Sequence, residues 1–135
     1  MKLDAQELPH LIIGACMEVH RQLGPGLMAE AYRECLALEL RMREIIFQRD
    51  HPLPIGYKGH RVDSAVRVDF FVENCVIVST SLPDLGEAHK EHMKNVLRLT
   101  GIETGLLVNF NVANLRDGVK RIIVSDLPPA LHYQS

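Results

Sequence analysis

An α/β domain, helices packed on a mixed sheet, is the fold class this sequence predicts. Three observations predict it. The first third of the chain carries apolar residues at helical spacing, cut once by Gly24-Pro25-Gly26. The middle alternates polar and apolar residues with a period of two, as a strand does. Helical spacing then returns before Gly101, followed by short apolar runs such as Leu106-Leu107-Val108.

Each element follows in order. Leu8, Leu11, Ile12, Ala15, Val19 and Leu23 form one helical stripe, and Ile13 with Met17 adds a second apolar flank. Two glycines and a proline stop this helix, and the spacing predicts a second over 27–43, with Leu27, Ala31, Cys35, Leu38 and Met42 as its core stripe. From 45 to 81 the period is two: Val66, Val68, Phe70 and Val72 face one way, and Arg67, Asp69, Phe71 and Glu73 the other. Glu73-Asn74 makes a tight turn into a returning strand, 75–80. Pro52 and Pro54 confine the preceding strand to an edge, because proline cannot donate to a ladder. A third helix over 86–100 clusters His89, Met93, Val96, Leu97 and Thr100 on one face. Strands at 106–108 and 120–124 follow, and Pro128-Pro129 opens an extended tail.

Composition narrows the function classes. At 135 residues, one domain covering 1–135 is the default. Hydrophobic residues at 47% and charged residues at 24% place the chain among globular proteins, away from disordered ones. Its apolar runs fall short of the ~20 residues of a membrane helix, and its start has no secretory apolar stretch, so a cytoplasmic location is expected. Cys16, Cys35 and Cys75 are odd in number and widely spaced, which argues against a disulfide framework or a zinc knuckle. A net charge of −2 argues against strong general affinity for phosphate backbones. With four Phe, three Tyr and no Trp, base stacking on a single strand is also disfavoured.

The blocks Glu18-Val19-His20-Arg21, Leu23-Gly24-Pro25-Gly26, Tyr32 and Glu34-Cys35-Leu36 resemble the bacterial family named for its GxxExxY motif. Tyr57-Lys58-Gly59, Arg67-Val68-Asp69, Val76-Ile77-Val78, Leu99-Thr100-Gly101, the stretch 105–111 and the stretch 117–122 continue the resemblance in order, covering about 8–124 and leaving 125–135 as a tail. That family is similar to a branch of the PD-(D/E)XK nucleases. The resemblance therefore implies a restriction-endonuclease-like core, with an aspartate on one strand and E-x-K on the next. Phosphodiester cleavage needs such groups: carboxylates hold Mg²⁺, the ion activates water and the phosphate, and lysine orients the attack.

Residue by residue, the resemblance assigns Asp69 as the strand aspartate and sole metal ligand; the bland alternative is an ion-pair partner for Arg67 on the same face. At the E-x-K positions stand Ser79 and Ser81, which supply neither charge. Losing one preorganised charge stabiliser typically costs ~3–4 kcal/mol of transition-state stabilisation. Ala29 stands at the motif glutamate; Glu30 cannot replace it, since one residue turns a helix by about 100°. His92 falls where the family presents a glutamine, and reads either as a ligand or as a core-edge histidine. His89 and His92 lack the H-E-x-x-H spacing of a zinc helix. His20 reads equally as a cleft residue or a helix-packing one.

Lys90, Lys94 and Arg98 make a helical stripe able to follow phosphates, although Glu87 and Glu91 dilute it; Lys58, His60, Arg61 and Arg67 form a looser basic group. The expectation is a nuclease-fold pseudoenzyme without a cofactor, with at most weak DNA or RNA binding. Two alternatives stand beside it. One is an active Mg²⁺-dependent nuclease whose ligands have migrated to Asp69 with Glu73, Glu87, Glu91 or His92. The other is a homodimeric interaction module paired through Ile13 and Met17.

Overall fold

The computed structural model describes residues 7–125, apart from the side chains of 64–66. The tail expected from Pro128, the start of the chain and the side chain of Val66 therefore lie outside the described residues. Helix α1 spans Glu7–Leu23 and α2 spans Ala29–Met42. An antiparallel meander follows: β1 Gln48–Tyr57, β2 His60–Val72 and β3 Cys75–Thr80. Helix α3, Glu87–Thr100, crosses over to β4, Thr104–Asn109, and a short 3-10 turn, Leu115–Gly118, leads into β5, Val119–Ile123.

The five strands among the described residues lie in sequence order. Among the described residues only β3 and β4 pair in parallel, from Cys75 opposite Thr104 to Thr80 opposite Asn109, and the other neighbours are antiparallel. The parallel pair requires a crossover, which α3 supplies. Strand β1 is an edge, as its two prolines require, and its register shifts between Leu53 and Ile55.

Two apolar layers sandwich the sheet. On one face Ile12, Cys16, Tyr32 and Leu36 of α1 and α2 pack on Phe70, Ile77, Leu106 and Val108. On the other, Met93, Val96 and Leu97 of α3 pack on Val76, Leu107 and Ile122. Val68 packs in this second layer, whereas Phe70 and Val72 pack in the first. The single-face reading of Val68, Phe70 and Val72 is thus corrected: β2 changes face at Asp69. Across from it, Asp50 of β1 holds a left-handed backbone, φ 53°, and the β2–β3 ladder runs from Val72 to Phe70.

The α2 stripe also needs correction. Tyr32, Leu36, Ala37 and Leu40 are buried, while Leu27, Leu38 and Met42 are exposed, a rotation of roughly one residue. Tyr32 sets that rotation, because its ring stacks on Phe110 with centroids 4.5 Å apart. In α1 the predicted stripe holds at Leu8, Ile12, Ala15 and Val19, but Leu11 is 40% exposed and Cys16 is buried instead. His89 is exposed rather than part of the apolar face; its Nδ1 accepts the Gly86 N–H at 3.2 Å and caps α3.

Candidate active site

The loop between α1 and α2 is fixed first. Gly24 and Gly26 have φ of 70° and 98°, conformations that L side chains rarely adopt. Tyr32 spans this loop from one turn inside α2: its hydroxyl donates to Gly24 O at 2.6 Å and accepts from Leu27 N–H at 3.1 Å. Met28 provides no side-chain cap, and the tyrosine hydroxyl serves backbone groups of the loop ahead of the helix. The loop then meets the end of β3, where Ser81 Oγ donates to Leu27 O.

Asp69 lies where β2 changes face. Its Oδ2 accepts both the backbone N–H of Ser79, at 2.7 Å, and the Ser79 hydroxyl, at 2.9 Å. Ser79 is buried, 2% exposed. The carboxylate thereby satisfies a β3 amide near the point where the ladder stops. Asp69's cationic neighbour is Arg33 of α2, with Nη1 3.9 Å from the same Oδ2; Arg67 is occupied elsewhere, donating to Asp50 O at 3.1 Å. Ala29, Arg33, Asp69, Ser79 and Ser81 thus belong to the α2 side of the sheet.

Charged groups from α2 and β1 rim this cleft. Glu30 accepts from Arg33 at 2.8 Å and lies 3.5 Å from Arg49. Arg49 also forms a bidentate bond with Glu34, whose Oε1 it meets at 3.1 Å, and its guanidinium lies 6.0 Å from the Phe70 ring centre. Glu30 and Glu34 remain largely exposed, in keeping with a solvated face. The Glu30 hydrogen bond holds the Arg33 guanidinium above its ordinary pKa, against partial burial, and the Asp69 charge adds to it.

The other predicted residues go elsewhere. His92 is exposed on α3, in the opposite layer from Ser79, and makes no hydrogen bond or ion pair among the described residues. His20 Nε2 donates to Val112 O at 2.8 Å, tying α1 to the segment after β4; this is a packing role. Lys90 and Lys94 pair with Glu87 and Glu91 at 3.1 and 3.3 Å, so two of the three cations of the basic stripe are paired, leaving exposed Arg98 at its end. Lys58 sits in the β1–β2 turn at φ 50°, its ammonium over the Tyr57 ring.

Two features escaped the sequence reading. Asn109 is buried at the end of β4 and binds both backbone groups of Leu82, at 2.9 and 3.0 Å, pinning the segment after β3. Beside it, a cavity of about 190 Å³ is lined by Asp84, Lys90, Asp117 and Lys120, whose opposite charges give no single-sign field. An Asn closing an apolar run was the available signal for the first.

The model of the PD-(D/E)XK nuclease superfamily matches residues 6–122, nearly the whole described chain. The chain belongs to this superfamily. No curated protein and no solved structure matches it. Asp69 on β2 and Ser79 on β3 adjoin through two hydrogen bonds, beyond the last β2–β3 ladder pair.

A nuclease of this fold implies a divalent cation, and the residues present do not fit one. Among the described residues no three His, Cys, Asp or Glu side chains come together to hold a metal. The Asp69 oxygen that faces Ser79 already accepts two hydrogen bonds and a guanidinium lies near it. Hard divalent ions want several oxygen ligands, with charge among them. No described helix is long and apolar enough to cross a membrane.

Proposed function

We propose that this chain is a GxxExxY-type member of the superfamily that does not cleave nucleic acid and acts through binding alone. One observation carries the reading: the Asp69 carboxylate is bonded to the backbone and hydroxyl of Ser79, the residue that occupies the first E-x-K position. Ser81 and Ala29 fill the remaining positions with a hydroxyl bound to Leu27 O and with a methyl. Metal, nucleophilic water and lysine act as one unit in such sites, and removing several members leaves little rate.

What remains for a partner is modest. Lys58 and Arg98 are exposed, but Lys90 and Lys94 share their charge with glutamates, so any DNA or RNA affinity is weak and falls steeply with salt. Ile13 is half-buried on its own core, which leaves Met17 for self-association. The test is incubation of the natural chain with supercoiled plasmid and with RNA in Mg²⁺ or Mn²⁺. No nicking is expected; metal-dependent cleavage that disappears in Asp69→Ala would sink the proposal.

A further inference from the structure

We propose that Arg33 is a resident cation of the cleft: its guanidinium takes the place beside Asp69 that a divalent ion would need, and closes the site to metals. The inference deepens the non-cleaving reading and rests on it, but it concerns a residue that reading does not use.

The geometry is specific. Arg33 is held from outside by Glu30, at 2.8 Å through Nη2, while Nη1 points inward to 3.9 Å from Asp69 Oδ2. Both ends of the contact are sheltered, with Arg33 26% and Asp69 21% exposed. A bound Mg²⁺ or Mn²⁺ sits about 2.0–2.2 Å from its carboxylate oxygens, hence within a few ångströms of this guanidinium. Arginine does not deprotonate in proteins, so the repulsion cannot be relieved by losing a proton.

Position on the helix adds a second consequence. Ala29 and Arg33 are one turn apart, so their side chains share a face of α2. A glutamate restored at 29 would stand at ion-pairing distance along the helix from Arg33. It would neutralise the guanidinium instead of offering its oxygen to a metal. Rebuilding the site with Ala29→Glu, Ser79→Glu and Ser81→Lys is therefore insufficient while Arg33 remains.

The experiment is Mn²⁺ calorimetry on the Ala29→Glu/Ser79→Glu/Ser81→Lys protein with and without Arg33→Gln. The version keeping Arg33 is expected to bind Mn²⁺ about tenfold or more weakly, the scale at which neighbouring groups tune metal affinity. Equal affinities overturn the proposal. Should those proteins not fold, melting of the natural chain, Arg33→Gln and Arg33→Lys with roughly 10 mM Mn²⁺, above the range of weak sites, gives the answer. Mn²⁺ raises the melting temperature only of Arg33→Gln if the inference holds; an equal response in all three ends it. Nuclease assays on the natural chain judge the non-cleaving reading separately, since cleavage there would refute that reading whatever the Mn²⁺ comparison gives.

Discussion

Two neighbouring parts of α2 are built on different principles. Tyr32 is fully buried, stacked on Phe110, with its hydroxyl bound to Gly24 O and Leu27 N–H. One residue further, the part-buried Arg33 guanidinium faces Asp69, which bonds Ser79. The tyrosine joins loop, helix and strand end through packing and hydrogen bonds that have no substitute of another chemical type. The cleft holds carboxylate, hydroxyl and guanidinium groups that close their hydrogen bonds without leaving a ligand set. Scaffold and charged site are thus built separately, and the helix that carries both shows where the division runs.

If that division is right, the largest loss of stability follows Tyr32→Ala. Removing a buried aromatic ring typically costs about 3–5 kcal/mol, and urea unfolding should show a loss in that range. Tyr32→Phe keeps the stack but leaves Gly24 O and Leu27 N–H without their partner, a cost of about 1–3 kcal/mol. A Tyr32→Ala loss below about 1 kcal/mol would put the tyrosine on the same footing as the cleft and dissolve the contrast.

The core behind the tyrosine offers a second test, through pH. Burial pushes the Cys16 thiol from 9.0 up to about 12, with a further push from Cys75, whose own thiol burial also raises to about 12. In the unfolded chain both ionise near their ordinary value, so the unfolded state loses protons first. Stability is therefore intact below about pH 9 and declines as pH climbs towards 12, by at most about 1.4 kcal/mol per pH unit for each thiol. Cys75→Ala should flatten that decline in unfolding titrations. In the native state only half-buried Cys35 should react with iodoacetamide; rapid alkylation of Cys16 would mean the layer is not closed.

The same division explains what could be read from the chain. Glycines 24 and 26, the alternation through Phe70 and Val72, and the prolines of β1 are local signals, and the helices and strands they predict are present. The rotation of α2 was not local. Leu27, Leu38 and Met42 fit helical spacing as well as Tyr32, Leu36 and Leu40 do, and the choice is made by Phe110, far along the chain. Asp69 and Ser79 could be paired in advance because they lie on successive strands. Arg33 could not, since its approach to Asp69 crosses from helix to sheet with no spacing to announce it. His92 lies in the α3 layer because the crossover helix packs on the face opposite α2, a matter of topology rather than of residue type.

Asp69→Ala tests the cleft side of the contrast with a middle-sized effect. It leaves the buried Ser79 N–H without its acceptor, which costs about 1–3 kcal/mol. Asp69→Asn keeps an acceptor oxygen and should recover most of that loss in the same unfolding experiment. A recovery by asparagine means the carboxylate serves β3 as a hydrogen-bond acceptor; no recovery means its charge against Arg33 carries the stability.

The smallest effect belongs to the rim. The Glu34 carboxyl is held below its ordinary 4.5, first by the hydrogen bond from Arg49, against a desolvation cost, with that guanidinium's charge adding a lesser push downward. A depressed folded value contributes stability that is fully present above the unfolded value and is lost as pH falls through the folded one. Glu34 is 60% exposed, so water screens the pair and Glu34→Gln should change stability little at neutral pH. Its signature is instead a shallower loss of stability below pH 4.5, seen by comparing acid unfolding of the two proteins. Were Glu34→Gln to cost as much at pH 7 as Asp69→Ala, the exposed Arg49 pair would be holding α2 to β1 as firmly as the sheltered aspartate holds β3, and shelter would no longer distinguish the cleft from its rim.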